Sequence, residues 1–139
     1  MNILRSFLFA LLGMAWLAHA AHAAEPVWAP IAEKMVQALT EGESLYKAND
    51  SEAAQKKVQG VYFSIFEAEK FEAAMEKGLG KSHTESVEKA FGKIRKSMKS
   101  KAPQEEVTGM VQALIKTLRE DAGKLDAAGV TRPADKSKK

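Results

Sequence analysis

The stretch Val61-Tyr62-Phe63-Ser64-Ile65-Phe66-Glu67-Ala68-Glu69-Lys70-Phe71-Glu72-Ala73-Ala74-Met75 decides the fold, because it is the most aromatic part of the chain and carries three carboxylates within six positions. Drawn as one straight helix at about 100° per residue, it places Val58, Glu69 and Glu72 together on the apolar face. Glu67 then lies on the opposite face. A helix that is apolar nearly all round is usually central in its bundle. Charge in such a setting is costly unless it is paired or metal-bound, so function is sought here first.

Apolar residues recurring with helical period predict four helices in all. The first begins at Pro30 and runs for about 16 residues. The second spans about Ser51–Lys77 and contains the opening stretch, and a break near Ala68 to Lys70 stays open although neither Pro nor Gly marks it. The third follows a capping box at Ser82-His83-Thr84-Glu85, and the fourth opens at Pro103 and stops at Gly129. No segment alternates with period two and the connections are short, so we expect an all-α, antiparallel up-and-down four-helix bundle.

Two details of the second helix are also predicted. Asn49 or Asp50 is expected to cap its N-terminus, because both side chains accept hydrogen bonds from free backbone N–H groups. Gly60 lies in its interior, where it costs about 1 kcal/mol relative to Ala, and a close helix crossing would explain it.

The N-terminus has the pattern of a cleavable secretory signal, residues 1–23. Arg5 provides the positive start, residues 6–18 the apolar core, and Ala21-His22-Ala23 a small-residue cleavage site, with Ala18-His19-Ala20 as the alternative. The apolar run is shorter than the about 20 residues of a spanning helix, although an uncleaved anchor is the alternative interpretation. We therefore expect an exported, periplasmic protein.

The remaining chain of about 115 residues suffices for one domain, residues 24–129, followed by a basic tail, 130–139, that we expect to be disordered. The chain has no cysteine, which excludes disulfides, thiolate metal sites and cysteine nucleophiles. The net charge of +3 has its excess in the tail, so we predict no nucleic-acid partner. No Ser-His-Asp set and no phosphate-binding glycine loop is present, and we expect no enzymatic activity.

Glu67, Glu69 and Glu72 are the candidate metal ligands, because helical bundles hold iron or manganese through inward-facing carboxylates. In a straight helix all three cannot reach one ion, whereas Glu69 and Glu72 can. The alternative is that they pair with Lys or Arg. Arg95, one turn beyond Phe91, is predicted either to reach a carboxylate of the second helix or to extend into solvent.

A copper or other divalent-metal chaperone is a weaker alternative. It would use His83, the only histidine outside the predicted signal, together with thioether sulfurs. His83 is expected at an exposed helix start, and core packing explains the methionines better. The methionines concerned are Met35, Met75, Met98 and Met110.

Three motifs resemble one known family. Gly42-x3-Tyr46-Lys47-Ala48-Asn49-Asp50, then Val58-x3-Tyr62-Phe63-x2-Phe66-Glu67-x4-Glu72, then Phe91-x3-Arg95 are similar to the extracytoplasmic helical domain of bacterial high-affinity iron permeases, the iron/lead transporter family. The resemblance covers roughly residues 31–125.

The resemblance implies a periplasmic helical domain that handles iron before or during transport, with Tyr62, Phe66, Glu67, Glu72 and Arg95 at the matching positions. The membrane helices of those permeases, with their Arg-Glu-x-x-Glu motifs, have no counterpart here. We therefore expect an accessory protein that binds iron and acts with a separately encoded permease or other membrane transport component. A homodimer and a non-catalytic structural or adaptor bundle without metal both stay open.

Overall fold

The structure, a computed structural model, describes residues 25–133, and every regular element in that range is helical. The α-helices are α1 (Trp28–Lys47), α2 (Ser51–Val61), α3 (Phe71–Leu79), α4 (Lys81–Lys99) and α5 (Gln104–Ala127), and a π-helical segment, Tyr62–Glu67, follows α2. The all-α prediction is confirmed. The predicted signal and the last six residues of the predicted tail lie outside the described range.

The helices enclose one apolar core. α1 packs on α2 and α5, α4 packs on α2, α3 and α5, and α3 also contacts α5. Burial of the apolar stripes is the main force that holds these helices together. None of the helices in residues 25–133 is long and apolar enough to cross a membrane. The largest fully buried side chains include Trp28, Met35, Leu39, Phe66, Phe71, Met75, Phe91, Met98, Leu118 and Leu125.

The predicted single helix over Ser51–Lys77 is wrong in its middle. Ala68 N donates to Phe63 O at 3.3 Å, a bond that spans five residues and belongs to a π turn. The ladder then tightens, because Lys70 N donates to Glu67 O at 2.9 Å, only three residues back. Lys70 itself is left-handed, with φ 68°, and α3 begins at the next residue. The segment therefore bends without a Pro or Gly.

Asp126 of α5 caps the N-terminus of α1. Its Oδ1 accepts from Val27 N at 2.8 Å and Trp28 N at 2.9 Å, and its Oδ2 accepts from Ala29 N at 2.9 Å. The first N–H groups of a helix have no partner within it, and a carboxylate also complements the helix dipole. This cap explains why α1 begins at Trp28 rather than at Pro30 as predicted.

The residues just after α5 contact the start of α1 and the bend between α2 and α3. Gly129 has φ 64° and ends the helix as predicted. Val130, however, packs against the core, and its carbonyl accepts from Trp28 Nε1 at 2.6 Å. Arg132 Nη2 lies 3.3 Å from Glu69 Oε2. The expected disordered tail therefore does not begin at Val130.

Three local expectations had different outcomes. Asp50 does cap α2, because its Oδ1 accepts from Ala53 N at 3.0 Å. The capping box at Ser82 does not form, because α4 already begins at Lys81 and Ser82 therefore lies inside the helix. The N-cap residue is Gly80, with φ 95°. A close crossing is absent at Gly60, where a Cβ would meet nothing within 4 Å, and occurs at Gly78, where a Cβ would lie 2.6 Å from Leu125 Cδ2.

Replacement of Asp126 by Ala should lower the free energy of unfolding by about 2 kcal/mol, because three backbone N–H groups lose a charged acceptor at once. Urea denaturation at neutral pH measures the change. Glu120→Ala is the matched control, because the Glu120 side chain is 55% exposed and its ion pair with Lys116 is a long one, at 3.7 Å. This variant should stay within about 0.5 kcal/mol of the wild type. Equal stability of the two variants would show that the cap does not hold α1 to α5.

Candidate acid cluster beside the π-helical segment

Four acidic side chains meet where the π-helical segment passes α4; we name Tyr62, Glu67, Glu72 and Glu88 the acid cluster. The Tyr62 hydroxyl lies near the Glu67 carboxylate, and the Glu72 and Glu88 carboxyl groups are close enough to share a hydrogen bond. Tyr62 and Glu67 are five residues apart, the spacing that a π turn brings onto one side. All four side chains are half-buried.

Aromatic rings form the floor of this cluster. The Tyr62 ring centroid lies 5.5 Å from that of Phe91 and 5.6 Å from that of Phe66. Phe66 and Phe91 lie 5.4 Å apart, and Phe71 lies 6.0 Å from Phe66. These distances are those of favourable aromatic pairs, and the rings exclude water from one side of the carboxylates.

Burial and mutual repulsion raise the pKa of two of the four groups. The pKa of Glu72 is raised to about 7, first by desolvation, then by its hydrogen bond to Glu88 and by the negative charges of Glu88, Glu67 and Glu76. The pKa of Tyr62 is raised to about 12, first by desolvation and then by the charges of Glu88, Glu67 and Glu72. A carboxyl that stays protonated near neutral pH can donate to its neighbour, which explains how Glu72 and Glu88 tolerate each other.

Glu69 lies away from the cluster. Its carboxylate pairs with Lys34 Nζ at 2.8 Å and with Arg132 Nη2 at 3.3 Å. The expectation that Glu69 and Glu72 share a face while Glu67 points elsewhere is therefore wrong. The wider π turn and the left-handed residue Lys70 change the direction of the chain between Glu67 and Glu72, and so bring those two together instead.

The two supporting residues of the prediction lie in different places. Phe66 is fully buried in the aromatic floor. Arg95 is half-buried on α4, beside Gln55, Lys96 and Lys99, and forms no ion pair with a carboxylate of residues 25–133. Of the two interpretations of Arg95, the structure favours the solvent-facing one.

His83 has a partner that the sequence reading missed. Its Nε2 lies 2.7 Å from Oδ2 of Asp121, a residue that is 0% exposed, and Lys124 Nζ lies 3.3 Å from Oδ1 of the same carboxylate. His83 is thus not simply an exposed helix start, but joins α4 to α5. Met35, Met75 and Met98 are each 0% exposed and fill the core, whereas Met110 is half-buried and lines the groove between α4 and α5 that His83 also lines.

Three acidic residues of structural or functional interest were not singled out from the sequence, although each carries a signal. Asp121 occupies the stripe of α5 between Leu118 and Leu125, and Glu43 follows Leu39 by one turn in α1. Glu43 is 5% exposed, and its hydrogen bonds from Lys47 and Gln112, together with nearby Thr108, keep its pKa below the ordinary value despite burial. Glu88 precedes Phe91 by three residues, a spacing that puts both on one side of α4.

The side chains as they stand do not form a closed metal cage: residues 25–133 contain no group of three or more His, Cys, Asp or Glu arranged to hold a metal ion. The acid cluster is instead a set of neighbouring oxygen atoms beside the aromatic floor.

Comparison with known proteins gives no match, since no family model, characterised protein or solved structure is significantly similar to this chain. The comparisons thus provide no link to the extracytoplasmic domains of iron permeases, and the metal-binding role of Glu67, Glu69 and Glu72 stays a prediction.

The raised pKa of Glu72 predicts a loss of stability as pH rises. Glu72 binds a proton more tightly in the folded protein, with a pKa of about 7 against 4.5, so its contribution is complete below pH 4.5 and lost as pH increases to about 7. Glu72→Gln keeps a neutral donor toward Glu88 and should be about 1–2 kcal/mol more stable than the wild type at pH 8, with no advantage at pH 4.5.

Urea denaturation across this pH range measures the free energy of unfolding of both proteins. In the difference between them, the contributions of all other titrating groups cancel. Glu69→Gln is the matched control, because the same chemical change there leaves the Glu72–Glu88 pair intact and should preserve the wild-type pH dependence. A Glu72→Gln protein with the wild-type pH dependence would contradict the assignment.

Proposed function

We propose that this protein is a non-catalytic, exported binding protein that holds a hard or borderline metal cation, iron in the first place, at the acid cluster. The bound cation would be delivered to a permease or another membrane transport component. The observation that carries the proposal is the convergence of Tyr62, Glu67, Glu72 and Glu88 from three helical elements onto one aromatic floor.

The donor atoms suit such a cation. All four side chains provide oxygen, which hard cations prefer, and no thiolate or imidazole belongs to the cluster. Three carboxylates in a half-buried site repel one another, and a cation would relieve that repulsion. The Tyr62 phenol, which lies near Glu67, adds a fourth oxygen.

Iron is selected among such cations by the resemblance of the Tyr62–Glu72 motif to the extracytoplasmic domains of iron permeases. Phe66 supports the site from below. Glu88, which lies outside that motif, is added here as the ligand from α4, and Glu69 is removed because Lys34 and Arg132 neutralise it.

The architecture and the location belong to the same proposal. α2, the π-helical segment and α3 would act as one bent rod and, with α1, α4 and α5, form a four-helix up-and-down bundle. The signal pattern at residues 1–23 favours a periplasmic protein that meets its transport partner at the membrane.

A second candidate function is an adaptor bundle without metal, favoured by the absence of a preformed cage in residues 25–133. In that case the hydrogen-bonded Glu72–Glu88 pair would serve the packing of α3 on α4. The two candidates differ in their response to added cation.

Thermal unfolding with and without Fe²⁺ under anaerobic conditions tests the proposal. The wild type should melt several degrees higher with iron at 100 times its Kd, because binding to the folded state adds about 2.7 kcal/mol. Glu67→Gln, Glu72→Gln and Glu88→Gln should each lose most of the shift, since each removes a charged ligand.

Glu69→Gln is the control that keeps the full shift, even if loss of its ion pairs lowers the starting melting temperature. The same series with Mg²⁺ and Mn²⁺ ranks the cations. Identical melting of the wild type with and without each cation, from pH 5 to about pH 8, would exclude the metal site and leave the adaptor.

A further inference from the structure

The second half of α4 and the turn that follows it carry an uncompensated positive charge. Residues 86–101 contain one acidic residue, Glu88, which faces the acid cluster, and six basic residues. The basic residues are Lys89, Lys93, Arg95, Lys96, Lys99 and Lys101, and all except the half-buried Arg95 are exposed.

Most basic residues elsewhere in the described chain have ion pairs, with Lys70 and Lys77 as the exceptions, whereas those on this surface have none. Lys34, Lys47, Lys56, Lys57 and Lys116 each lie within ion-pair distance of a glutamate. None of the six basic residues of the second half of α4 has an ion pair within residues 25–133. The positive charge there is therefore free to act on a partner.

Three of these lysines form one continuous stripe, which we name the lysine stripe: Lys89, Lys93 and Lys96. Their spacings of four and three residues place them on the same outer side of α4. With Lys99 at its end, the charged length is about 15 Å. Ser82, Ser86 and Ser100 lie on the same side, and Glu85, one turn before Lys89, is the acidic residue at its N-terminal border.

The chemistry of the stripe favours a diffuse anionic surface over a shaped ligand. The exposed cations are all lysines, which are strongly hydrated point charges without the bidentate geometry of arginine. They lie on the outer side of a helix, exposed to solvent. An apolar groove between α4 and α5 opens next to Lys93, lined by Val87, Ala90, Met110 and Leu114.

We propose that the lysine stripe docks this protein on an anionic phospholipid surface, with the lysines at the headgroups and the neighbouring α4–α5 groove at the apolar boundary. Each lysine near such a surface contributes about 1 kcal/mol, and the attraction falls off within a Debye length. Docking through this side of α4 would keep the protein at the membrane independently of any cation, because the lysine stripe shares no residue with the acid cluster.

Co-sedimentation of the full chain with vesicles tests the proposal. Vesicles of phosphatidylcholine alone are compared with vesicles in which about 40% of the lipid is phosphatidylglycerol. The wild type should bind the anionic vesicles more tightly, and the preference should disappear in about 0.5 M NaCl. The triple variant Lys89→Gln, Lys93→Gln, Lys96→Gln should lose the preference on the order of a hundredfold.

The control is the triple variant Lys56→Gln, Lys77→Gln, Lys116→Gln, which removes the same net charge from other exposed positions and should bind like the wild type. Every variant carries the same N-terminal and C-terminal segments, so their contribution cancels. Equal loss in both triple variants would overturn the proposal, because net charge rather than the stripe would then be responsible. Binding to polyglutamate or to DNA without preference for anionic vesicles would also overturn it, in favour of an acidic polymer as partner.

Discussion

The backbone between Phe63 and Phe71 determines where every acidic side chain of the central stretch lies. The hydrogen-bond ladder widens to a five-residue span at Ala68, narrows to three at Lys70, and then passes through a left-handed residue. A non-glycine residue in that conformation costs on the order of 1–2 kcal/mol. The surrounding packing offsets this cost, since Phe66 before the bend and Phe71 after it are both fully buried.

The bend separates charges that a straight helix would have grouped differently. Glu69 joins Lys34 and Arg132 and so fastens α1 and the segment after α5 to the bend. Glu67 and Glu72 instead meet Glu88 of α4 above the aromatic rings, where the shortage of water raises the pKa of Glu72 and Tyr62. One carboxylate thus forms ion pairs at the bend, whereas three others form a cluster whose mutual repulsion a proton on Glu72 relieves. Such concentrations of perturbed groups are typical of functional sites.

The sequence predicted the helices well and the site only in part. The helical periodicity predicts the all-α class, and Asp50 and Gly129 mark helix ends. These signals can be read from the sequence because each depends only on residues close together in the chain. A break near Ala68 to Lys70 stayed open from the sequence, but its π turn could not be predicted, since neither Pro nor Gly marks it and Lys70 takes a conformation that tertiary packing imposes. The Asp126 cap and the His83–Asp121 pair were missed for a related reason: each joins residues far apart in sequence. Glu43 and Asp121, by contrast, occupy apolar stripes and could have been recognised as buried carboxylates.

The bend places Glu72 against Glu88 and not beside Glu69, and a titration of the Glu72 side-chain carboxyl by ¹³C NMR tests this placement. In the wild type this resonance should titrate with a midpoint of about 7. Glu88→Gln should move the midpoint down toward the ordinary value for glutamate, because it removes the neighbouring charge, whereas Glu69→Gln should leave it in place. A midpoint that responds to Glu69→Gln and not to Glu88→Gln would contradict the account, because it would mean that the chain continues as a straight helix through Lys70.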